Sequence, residues 1–292
     1  MQFGLFLLPL VAEVQTFRET VLRSEQEPGI HSIWVPEPHL LAFDEYSSTF
    51  PYSDDGKMPE DYSIEGELDG LLGLAYVAAI TERLRIGIGV CIVSQREPVS
   101  VAKHVTTLDQ LSNGRFDFGV GIGWLEEEFR AVGASFEDRV ANTTANLNIM
   151  RALWSERGDG DDDLPGPLAG GTQEPFPIQR PHPPIHFGGN SRPAIRRVAE
   201  LGQGWLPWEL TPDQARTGIA NLEEMLAARG RDRGEVVVTV VREAAPEELD
   251  ASAYAAAGVD QLLIVVPPMR SEQGVEQQFD RLGPIIEAVA AT

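Results

Sequence analysis

The 292-residue sequence is poor in the residues that form disulfides and metal sites, with one cysteine and five histidines. A single cysteine cannot form an internal disulfide, and it excludes a zinc or iron–sulfur site built from cysteines. Absence of disulfides is typical of reducing compartments. We therefore expect a cytoplasmic protein. No quartet of metal ligands can be assembled from the histidines and carboxylates, so we also expect no metal site.

Positive charge is also scarce. The chain has 23 Lys and Arg residues against 45 Asp and Glu residues, a formal net charge of −22. Binding to nucleic acid requires clustered Lys and Arg side chains, and anionic membrane surfaces attract the same residues. We therefore expect neither nucleic acid nor a membrane as a partner. An acidic surface favours solubility and identifies no substrate.

Long hydrophobic runs are missing as well. The apolar stretch 3–11 is too short to cross a bilayer, which requires about 20 apolar residues in a helix. It also lacks the basic flank and the small-residue cleavage site of a signal peptide. We interpret it as the first buried strand.

What the sequence does contain is a regular alternation of strand and helix patterns. Apolar, β-branched runs predict eight strands, at 2–8, 31–36, 84–93, 115–123, 183–189, 204–208, 235–241 and 259–267. Helical patterns follow at 13–27, 67–82, 98–114, 125–132, 137–156, 191–202, 212–229, 246–257 and 274–291. This alternation predicts an α/β fold with a parallel sheet covered by helices. Eight units favour a closed (β/α)8 TIM barrel, a single domain over 1–292, with a doubly wound open sheet as the alternative.

Two segments are longer than ordinary loops. Residues 38–66 follow the second strand, and residues 157–182 precede the fifth; both are rich in Gly, Pro and Asp. The first insertion starts at the carboxyl end of a strand, the face on which barrel enzymes build their active sites. We predict that it forms a lid or a substrate wall. The acidic run 159–163 in the second insertion is interpreted as a tip without chemistry.

The third predicted strand, "RIGIGVCIVSQREPV" (85–99), combines an apolar run with two glycines and a polar end. Glycine weakens a strand interior and marks places where a ligand or another backbone approaches closely. Either the glycines solve a packing problem, or a molecule outside the protein needs room at the end of this strand.

Two glycines before a predicted helix form a candidate anion site. Gly188 and Gly189 end the fifth strand, and the helix after them carries Arg192 and Arg196. Backbone N–H groups at a helix N-terminus bind anions, most often phosphate. The alternative is a tight turn without a ligand, and the spacing alone does not separate the two.

His39 and Glu37 are the best candidates for acid–base chemistry at the barrel mouth. Histidine titrates near neutral pH and can donate or accept a substrate proton. Side chains two residues apart on an extended strand point to the same side, and Pro38 between them stiffens the backbone. We therefore predict that His39 and Glu37 form a catalytic pair.

Several of these segments together resemble a known family. The stretches "SIWVPEPH", "LAYVAAITERLRIGIGVCIVSQREPVSVAKHVTTLDQLSNGRFDFGVGIGWLEEEF" and "PPIHFGGNSRPAIRRVAELGQGW" closely resemble the bacterial-luciferase-like flavin and deazaflavin enzymes. Within that family, they look most like the subgroup that uses coenzyme F420. The resemblance extends from Gln2 to about Trp208 and continues more weakly to the end of the chain.

The resemblance implies a (β/α)8 barrel with a ring cofactor in its mouth. It implies a non-proline cis peptide at the end of the third strand, at Gly89–Val90 or, alternatively, at Cys91–Ile92. The residues that it assigns to the cofactor are Gly89, Val90, Cys91, Gly121, Gly188, Gly189, Asn190, Ser191 and Trp208. Arg96, Arg192 or Arg196 are expected to offset the negative charge of the cofactor.

The chain departs from its relatives at two positions. Relatives often place an acidic residue directly before the histidine, whereas Pro38 separates Glu37 from His39 here. Sugar-phosphate dehydrogenases of this family carry a glutamate directly after the glycines of the fourth strand, where this chain has Trp124. The resemblance therefore implies a different substrate.

Three functions remain open at this point. The first is an oxidoreductase that uses coenzyme F420 for hydride transfer to or from a small organic molecule. The second is an FMN-dependent monooxygenase supplied with reduced flavin by a partner reductase. The third is a barrel that binds a cofactor or ligand without turnover. The family resemblance also implies a homodimer.

Overall fold

Eight parallel strands close into a barrel in the order of the sequence. The structure is a computed structural model that describes residues 1–10, 13–37, 39–41, 43, 45–59, 66–155 and 164–292. The strands are β1 (Gln2–Leu7), β2 (Ser32–Val35), β3 (Arg85–Cys91), β4 (Phe116–Val120), β5 (Ile185–Gly188), β6 (Gly204–Leu206), β7 (Val237–Arg242) and β8 (Gln261–Val266). Pairing of β1 with β8 closes the barrel, which confirms the (β/α)8 prediction and excludes the open sheet.

The helices surround the barrel and match the predicted helical segments closely. They are α1 (Val14–Gln26), α2 (Gly70–Ile80), α3 (Pro98–Leu111), α4 (Glu126–Ala131), α5 (Arg139–Trp154), α6 (Arg192–Leu201), α7 (Pro212–Ala227), α8 (Ala251–Ala256) and α9 (Glu272–Ala290). The prediction for 246–257 is wrong at its start, because Pro246–Glu248 form a separate 3-10 turn. Asp250 then caps α8 by accepting a hydrogen bond from the Ala253 N–H.

The barrel interior is packed with side chains. A cluster of large apolar residues fills its centre: Phe6, Trp34, Leu206, Val241 and Leu263. Small residues on neighbouring strands make this possible; a Cβ on Gly87 would lie 2.4 Å from the Trp34 ring. A second, larger core lies between the sheet and the helices. The barrel is therefore a rigid support, and a ligand has to bind at its mouth.

The insertion after β2 folds back over the carboxyl ends of the strands, and its aromatic side chains contact residues that follow β4 and β6. We call residues 39–59 the lid, apart from positions 42 and 44, which the structure does not describe. The acidic run 159–163, predicted to be a tip, lies outside the described residues. Within the described ranges, no helix has the length and apolar character needed to cross a bilayer.

Candidate active site at the barrel mouth

The end of β3 is irregular at the predicted position. The peptide between Gly89 and Val90 is cis, which confirms this prediction, whereas Cys91–Ile92 is not cis. The pairing of β3 with β4 shifts its register between Ile88 and Cys91. The Val90 side chain then packs against Gly121, where a Cβ would lie 2.5 Å from the valine Cγ2. Gly121 therefore makes room for the bulge, and its predicted contact with a cofactor stays a prediction.

Gly188 and Gly89 show the same tight packing around this bulge. A Cβ on Gly188 would lie 3.1 Å from Val90 Cγ1, and one on Gly89 would lie 2.8 Å from the Phe6 ring. The bulge thus fits between the ends of β1, β4 and β5, and larger side chains at these glycines would displace it.

Glu37 is buried beneath the loop that follows β3. Its Oε2 accepts a hydrogen bond from the Ile92 N–H at 2.7 Å, and its other oxygen forms an ion pair with Arg96. Arg96 also lies 3.6 Å from Asp69, which caps α2. Burial raises the pKa of Glu37, and Arg96 acts in the opposite direction. These contacts make Glu37 a brace for the loop after the bulge, and a direct catalytic role for it stays a prediction.

Cys91 faces the core outside the barrel, where it is fully buried. Its thiol is hydrogen-bonded to Glu37, and burial raises the cysteine pKa well above its usual value. The neighbouring Val90 packs against the cluster inside the barrel, and the predicted contact of Cys91 with a cofactor stays a prediction.

His39 is held by a carboxylate that the sequence prediction missed. Its Nδ1 lies 3.5 Å from Oε2 of Glu128 on α4. Glu128 is nearly buried and also accepts hydrogen bonds from the Leu40 N–H at 2.6 Å and from Gln95 at 2.9 Å. Burial alone raises the pKa of Glu128, but the hydrogen bonds from His39, Gln95 and the backbone outweigh it, so the net pKa is lowered. Glu128 is therefore ionised at neutral pH and can orient the imidazole.

A second carboxylate, Glu67, lies on the other border of the lid. Glu67 pairs with Leu10 in an isolated antiparallel bridge, and Leu68 N–H donates to the Pro9 carbonyl at 2.8 Å. These contacts attach it to the end of β1. Burial raises the pKa of Glu67, and the nearby His39 lowers it. His39 therefore has two carboxylate neighbours whose pKa values are shifted in opposite directions, the pattern expected around acid–base groups.

Aromatic rings cross the mouth from β4 to β1. Trp124 contacts the rings of Phe50, Tyr46 and His39, with centroids 5.2, 5.5 and 5.5 Å away. From Phe50 the contacts continue along the lid and over the mouth, through Tyr52 (5.6 Å), Trp208 (6.5 Å) and Phe6 (5.6 Å). The predicted lid thus covers the mouth with an aromatic face, and Trp124 is its main contact on the barrel.

Glu127 fastens the lid to α4. Its carboxylate accepts hydrogen bonds from the Ser47 N–H at 2.6 Å and from the Ser48 hydroxyl at 2.7 Å. The Ser48 hydroxyl in turn accepts from the Glu126 N–H at 2.8 Å. The hydrogen bonds, that from Ser48 first, lower the Glu127 pKa to about 2. The sequence signal for both α4 carboxylates was the run "EEE" directly after the fourth strand.

The predicted anion loop lies between β5 and α6. Gly189 has a φ of +105°, a conformation that favours glycine, and Ser191 caps α6 by accepting from the Ala194 N–H. The Asn190 side chain forms two hydrogen bonds with the backbone of Trp208, at 2.7 and 2.9 Å. Asn190 thus ties this loop to the end of β6, and the binding of an anion by the loop backbone and the helix N-terminus stays a prediction.

The three arginines expected to offset the cofactor charge have carboxylate neighbours or, like Arg192, are exposed. Arg96 is engaged by Glu37, and Arg196 lies 3.9 Å from Glu200. Arg197, in contrast, is 8% exposed, and its Nε is buried without a hydrogen-bond partner. Burial lowers the pKa of Arg197, and the neighbouring guanidinium groups of Arg196 and Arg139 lower it further.

Arg139, at the start of α5, also has a buried Nε without a hydrogen-bond partner and stacks on Phe136. The opposite charge that acts on Arg197 is that of Glu200, which raises the pKa of Arg197, but burial and the two arginines outweigh it. A buried cation beside two like charges is destabilised unless an anion joins it. The Arg139–Arg197 pair therefore fits the anionic end of a bound molecule.

The sequence matches known proteins along its whole length. The family model described as luciferase-like monooxygenase matches residues 1–287. An uncharacterised protein of Mycobacterium tuberculosis is 29% identical over 266 residues, which cover 89% of this chain and 90% of that protein. The FMNH2-dependent dimethylsulfone monooxygenase of Pseudomonas putida is 28% identical over 169 residues, which cover 54% of this chain and 43% of that enzyme.

Solved structures share the fold. The monooxygenase RslO1 from Streptomyces bottropensis superposes with a TM-score of 0.72 at 20% identity, covering 100% of this chain and 99% of its own. The coenzyme F420-dependent tetrahydromethanopterin reductase from Methanopyrus kandleri gives a TM-score of 0.67 at 15% identity, covering 97% and 98% of the two chains.

Proposed function

The chain belongs to the luciferase-like monooxygenase family, and from this membership we propose that it is an oxidoreductase that binds coenzyme F420 at the barrel mouth and acts on a small organic substrate. One observation carries the proposal: a histidine beside an ionised carboxylate lies on the same barrel face as a candidate anion loop, and two arginines with buried Nε atoms that lack a hydrogen-bond partner lie on α5 and α6. The first can exchange a substrate proton, and the second can hold an anionic cofactor.

The residues present fit such a cofactor. The loop 188–191 offers backbone N–H groups at a helix N-terminus, and Arg197 and Arg139 offer buried Nε atoms that lack a hydrogen-bond partner. The Gly89–Val90 bulge, packed tightly against Gly121 and Phe6, presents a firm apolar surface for a planar ring. These groups would hold the cofactor, which when bound supplies hydride transfer.

The chain itself would then move the proton and exclude water. Glu128 fixes the Nδ1 side of His39, which leaves Nε2 as the atom that exchanges a proton with the substrate. Glu37 holds the loop after the bulge in place through Ile92 and Arg96. The lid closes over the mouth through Glu127 and the aromatic contacts of Trp124, which keeps the reacting groups away from bulk solvent.

The second candidate is an FMN-dependent monooxygenase. It is favoured by the Pseudomonas putida relative, whose name specifies reduced FMN and which shares 28% identity over about half of this chain. The same loop and arginines would hold the FMN phosphate, and a partner reductase would supply the reduced flavin. Coenzyme F420 is preferred because the long block 74–129 resembles the F420-using subgroup.

The deciding experiment is a pair of titrations of the purified protein, one with oxidised coenzyme F420 and one with FMN. We expect F420 to bind at least about tenfold more tightly, a difference of about 1.4 kcal/mol. The Arg216→Gln variant serves as a control, because Arg216 is an exposed residue of α7 paired with Asp213. Tighter binding of FMN, followed by oxygen-dependent product formation with reduced FMN, would replace this proposal with the second candidate.

Catalysis by His39 is tested separately. In the F420-loaded enzyme, His39→Gln and Glu128→Gln should both lower kcat, and both should leave the dissociation constant of F420 nearly unchanged. An unchanged kcat in both variants would show that His39 and Glu128 take no part in the mechanism. We also propose a homodimer, which sedimentation velocity can test directly.

A further inference from the structure

We propose that the substrate of this site is an uncharged, apolar molecule with a flat or aromatic body, which binds against Trp124 and the lid. This inference rests on the proposed function, because it names the substrate class of the same mouth. It is carried by two features, the aromatic face of the lid and the distribution of charge around it.

The lid presents aromatic rings to the mouth. Phe50 is 8% exposed and contacts both Trp124 and Tyr52, while Tyr52 reaches Trp208. The contacts around Trp124 are edge-to-face, with interplanar angles of 75° to 86°. Each ring offers a large apolar surface, and paired rings favour a further flat apolar group between or beside them.

The rim of the mouth is apolar as well. Leu40 and Leu41 begin the lid and are 45% and 44% exposed, although their backbone N–H groups are bonded to buried Glu128. Tyr52 is 43% exposed on the same segment. Exposed apolar side chains fixed beside an active site are typical of an entrance for apolar ligands.

The charges on the substrate side are unfavourable for an anion. His39 is flanked by two carboxylates, Glu67 and Glu128. The arginines at the ends of β3, β7 and β8 already have carboxylate partners: Arg96 with Glu37, Arg242 with Glu209 at 3.4 Å, and Arg270 with Glu13 at 3.8 Å. An anionic substrate would therefore meet like charges, whereas an uncharged substrate would lose little on leaving water.

A cationic substrate is disfavoured for a related reason. Glu128 already accepts hydrogen bonds from Gln95 and from the Leu40 N–H, and it lies beside His39, so its oxygens leave little room for a further donor. An ammonium group would therefore lose its water without gaining a hydrogen bond to Glu128, although the carboxylate keeps its charge.

The test compares three probes of one shape by isothermal titration: neutral 2-acetylnaphthalene, anionic 2-naphthoate and cationic 2-(aminomethyl)naphthalene. At pH 7 we expect the neutral probe to bind at least about tenfold more tightly than either charged probe. Equal or tighter binding of the carboxylate or of the ammonium probe overturns the inference.

Substitutions in the aromatic wall of the mouth, formed by Trp124 and Phe50, test whether the neutral probe binds there. Trp124→Leu and Phe50→Leu should each weaken binding of the neutral probe by about tenfold, since each removes ring contacts. Leu72→Ala, at a 73% exposed position on α2, is the control and should bind the probe like the wild type. Circular dichroism establishes whether the variants fold. If Trp124→Leu does not fold, Phe50→Leu alone provides the test. Unchanged binding in the folded wall variants overturns the inference.

Failure of this inference can be told apart from failure of the proposed function. If F420 binds and the carboxylate probe is preferred, the substrate class is wrong and the cofactor proposal stands. If the neutral probe is preferred but neither F420 nor FMN binds, the apolar site stands and the proposed function fails.

Discussion

The buried Glu37–Arg96 pair makes a sharp prediction about stability. The Glu37 and Arg96 side chains are 4% and 19% exposed, and Glu37 also bonds the Ile92 N–H. Replacing Glu37 with Gln keeps an oxygen for Ile92 and removes the charge, which leaves Arg96 buried with only Asp69 at 3.6 Å. The loss in free energy of unfolding should therefore be smaller than for a buried charge left without any partner.

The magnitude follows from these contacts. Removing one partner of a buried ion pair costs about 3–5 kcal/mol. The retained hydrogen bond and the remaining Asp69 each reduce that loss, so we expect Glu37→Gln to lower the free energy of unfolding by about 2–3 kcal/mol. For a chain of this size, about 2 °C per kcal/mol gives a decrease in Tm of about 4–6 °C.

Urea unfolding of wild type, Glu37→Gln, Arg96→Met and the double variant measures the pair directly. The double variant should lose less than the sum of the single losses, with a coupling of about 2 kcal/mol. Glu200→Gln, which removes an exposed partner of Arg229, is the control and should unfold like the wild type. A loss below about 1 kcal/mol for Glu37→Gln, or single losses that add, would refute the brace.

Three further predictions concern the lid, the anion site and the bulge. Because the Glu127 pKa is lowered to about 2 from its ordinary 4.5, its contribution to lid closure is present above pH 4.5 and is lost as the pH falls towards 2. At pH 7, Glu127→Gln should speed amide hydrogen exchange in 45–59, and Glu126→Gln should not. Equal exchange rates in the two variants would show that Glu127 does not fasten the lid. Arg197→Gln should weaken cofactor binding by about tenfold or more in fluorescence titrations, whereas Arg216→Gln should not, and equal affinities would rule out the anion site. Gly121→Ala should lower the free energy of unfolding in urea by about 1–3 kcal/mol, because its Cβ would lie 2.5 Å from a valine methyl. An unchanged midpoint would show that the bulge shifts to accommodate the methyl group.

The architecture was predictable because local signals agree with the fold. Pro98 occupies the first turn of α3, and Glu97 caps that helix with bonds to two backbone N–H groups. The Asn113–Gly114 pair after α3 takes positive φ values of 54° and 76° and turns the chain into β4. Such residues mark element boundaries through backbone sterics alone, so one sequence is enough to locate them.

Only half of the candidate acid–base site was predictable. His39 could be selected by its residue type and its place after a strand, but its partner Glu128 lies 89 positions away. The pairing of His39 with Glu37 assumed that strand alternation continues, whereas β2 ends at Val35. Beyond that residue the two side chains diverge, one towards Arg96 and the other towards Glu128. Contacts of this kind depend on the tertiary fold.

The unpaired arginine, in contrast, left a signal that could have been used. Ala194, Ile195 and Val198 define the buried face of α6, and Arg197 falls on the same face at helical spacing. Arg192 and Arg196 lie closer to the loop in sequence or look equally basic, but they point away from that face and are exposed. Periodicity therefore identifies the buried cation better than proximity along the chain does.

Negative and positive side chains lie apart around the mouth, and this separation affects how a cofactor and a substrate could bind there together. Glu67 and Glu128 lie near His39, while the guanidinium groups of Arg139, Arg196 and Arg197 lie near one another on α5 and α6. In a chain with a net charge of −22, this local excess of cations would favour the anionic end of the proposed cofactor. The loop 188–191 and the arginines of α5 and α6 would then hold that end, and the bulge at Val90 would support the ring. The same polarity keeps anions away from the aromatic wall, and an uncharged substrate is then the partner that this wall admits.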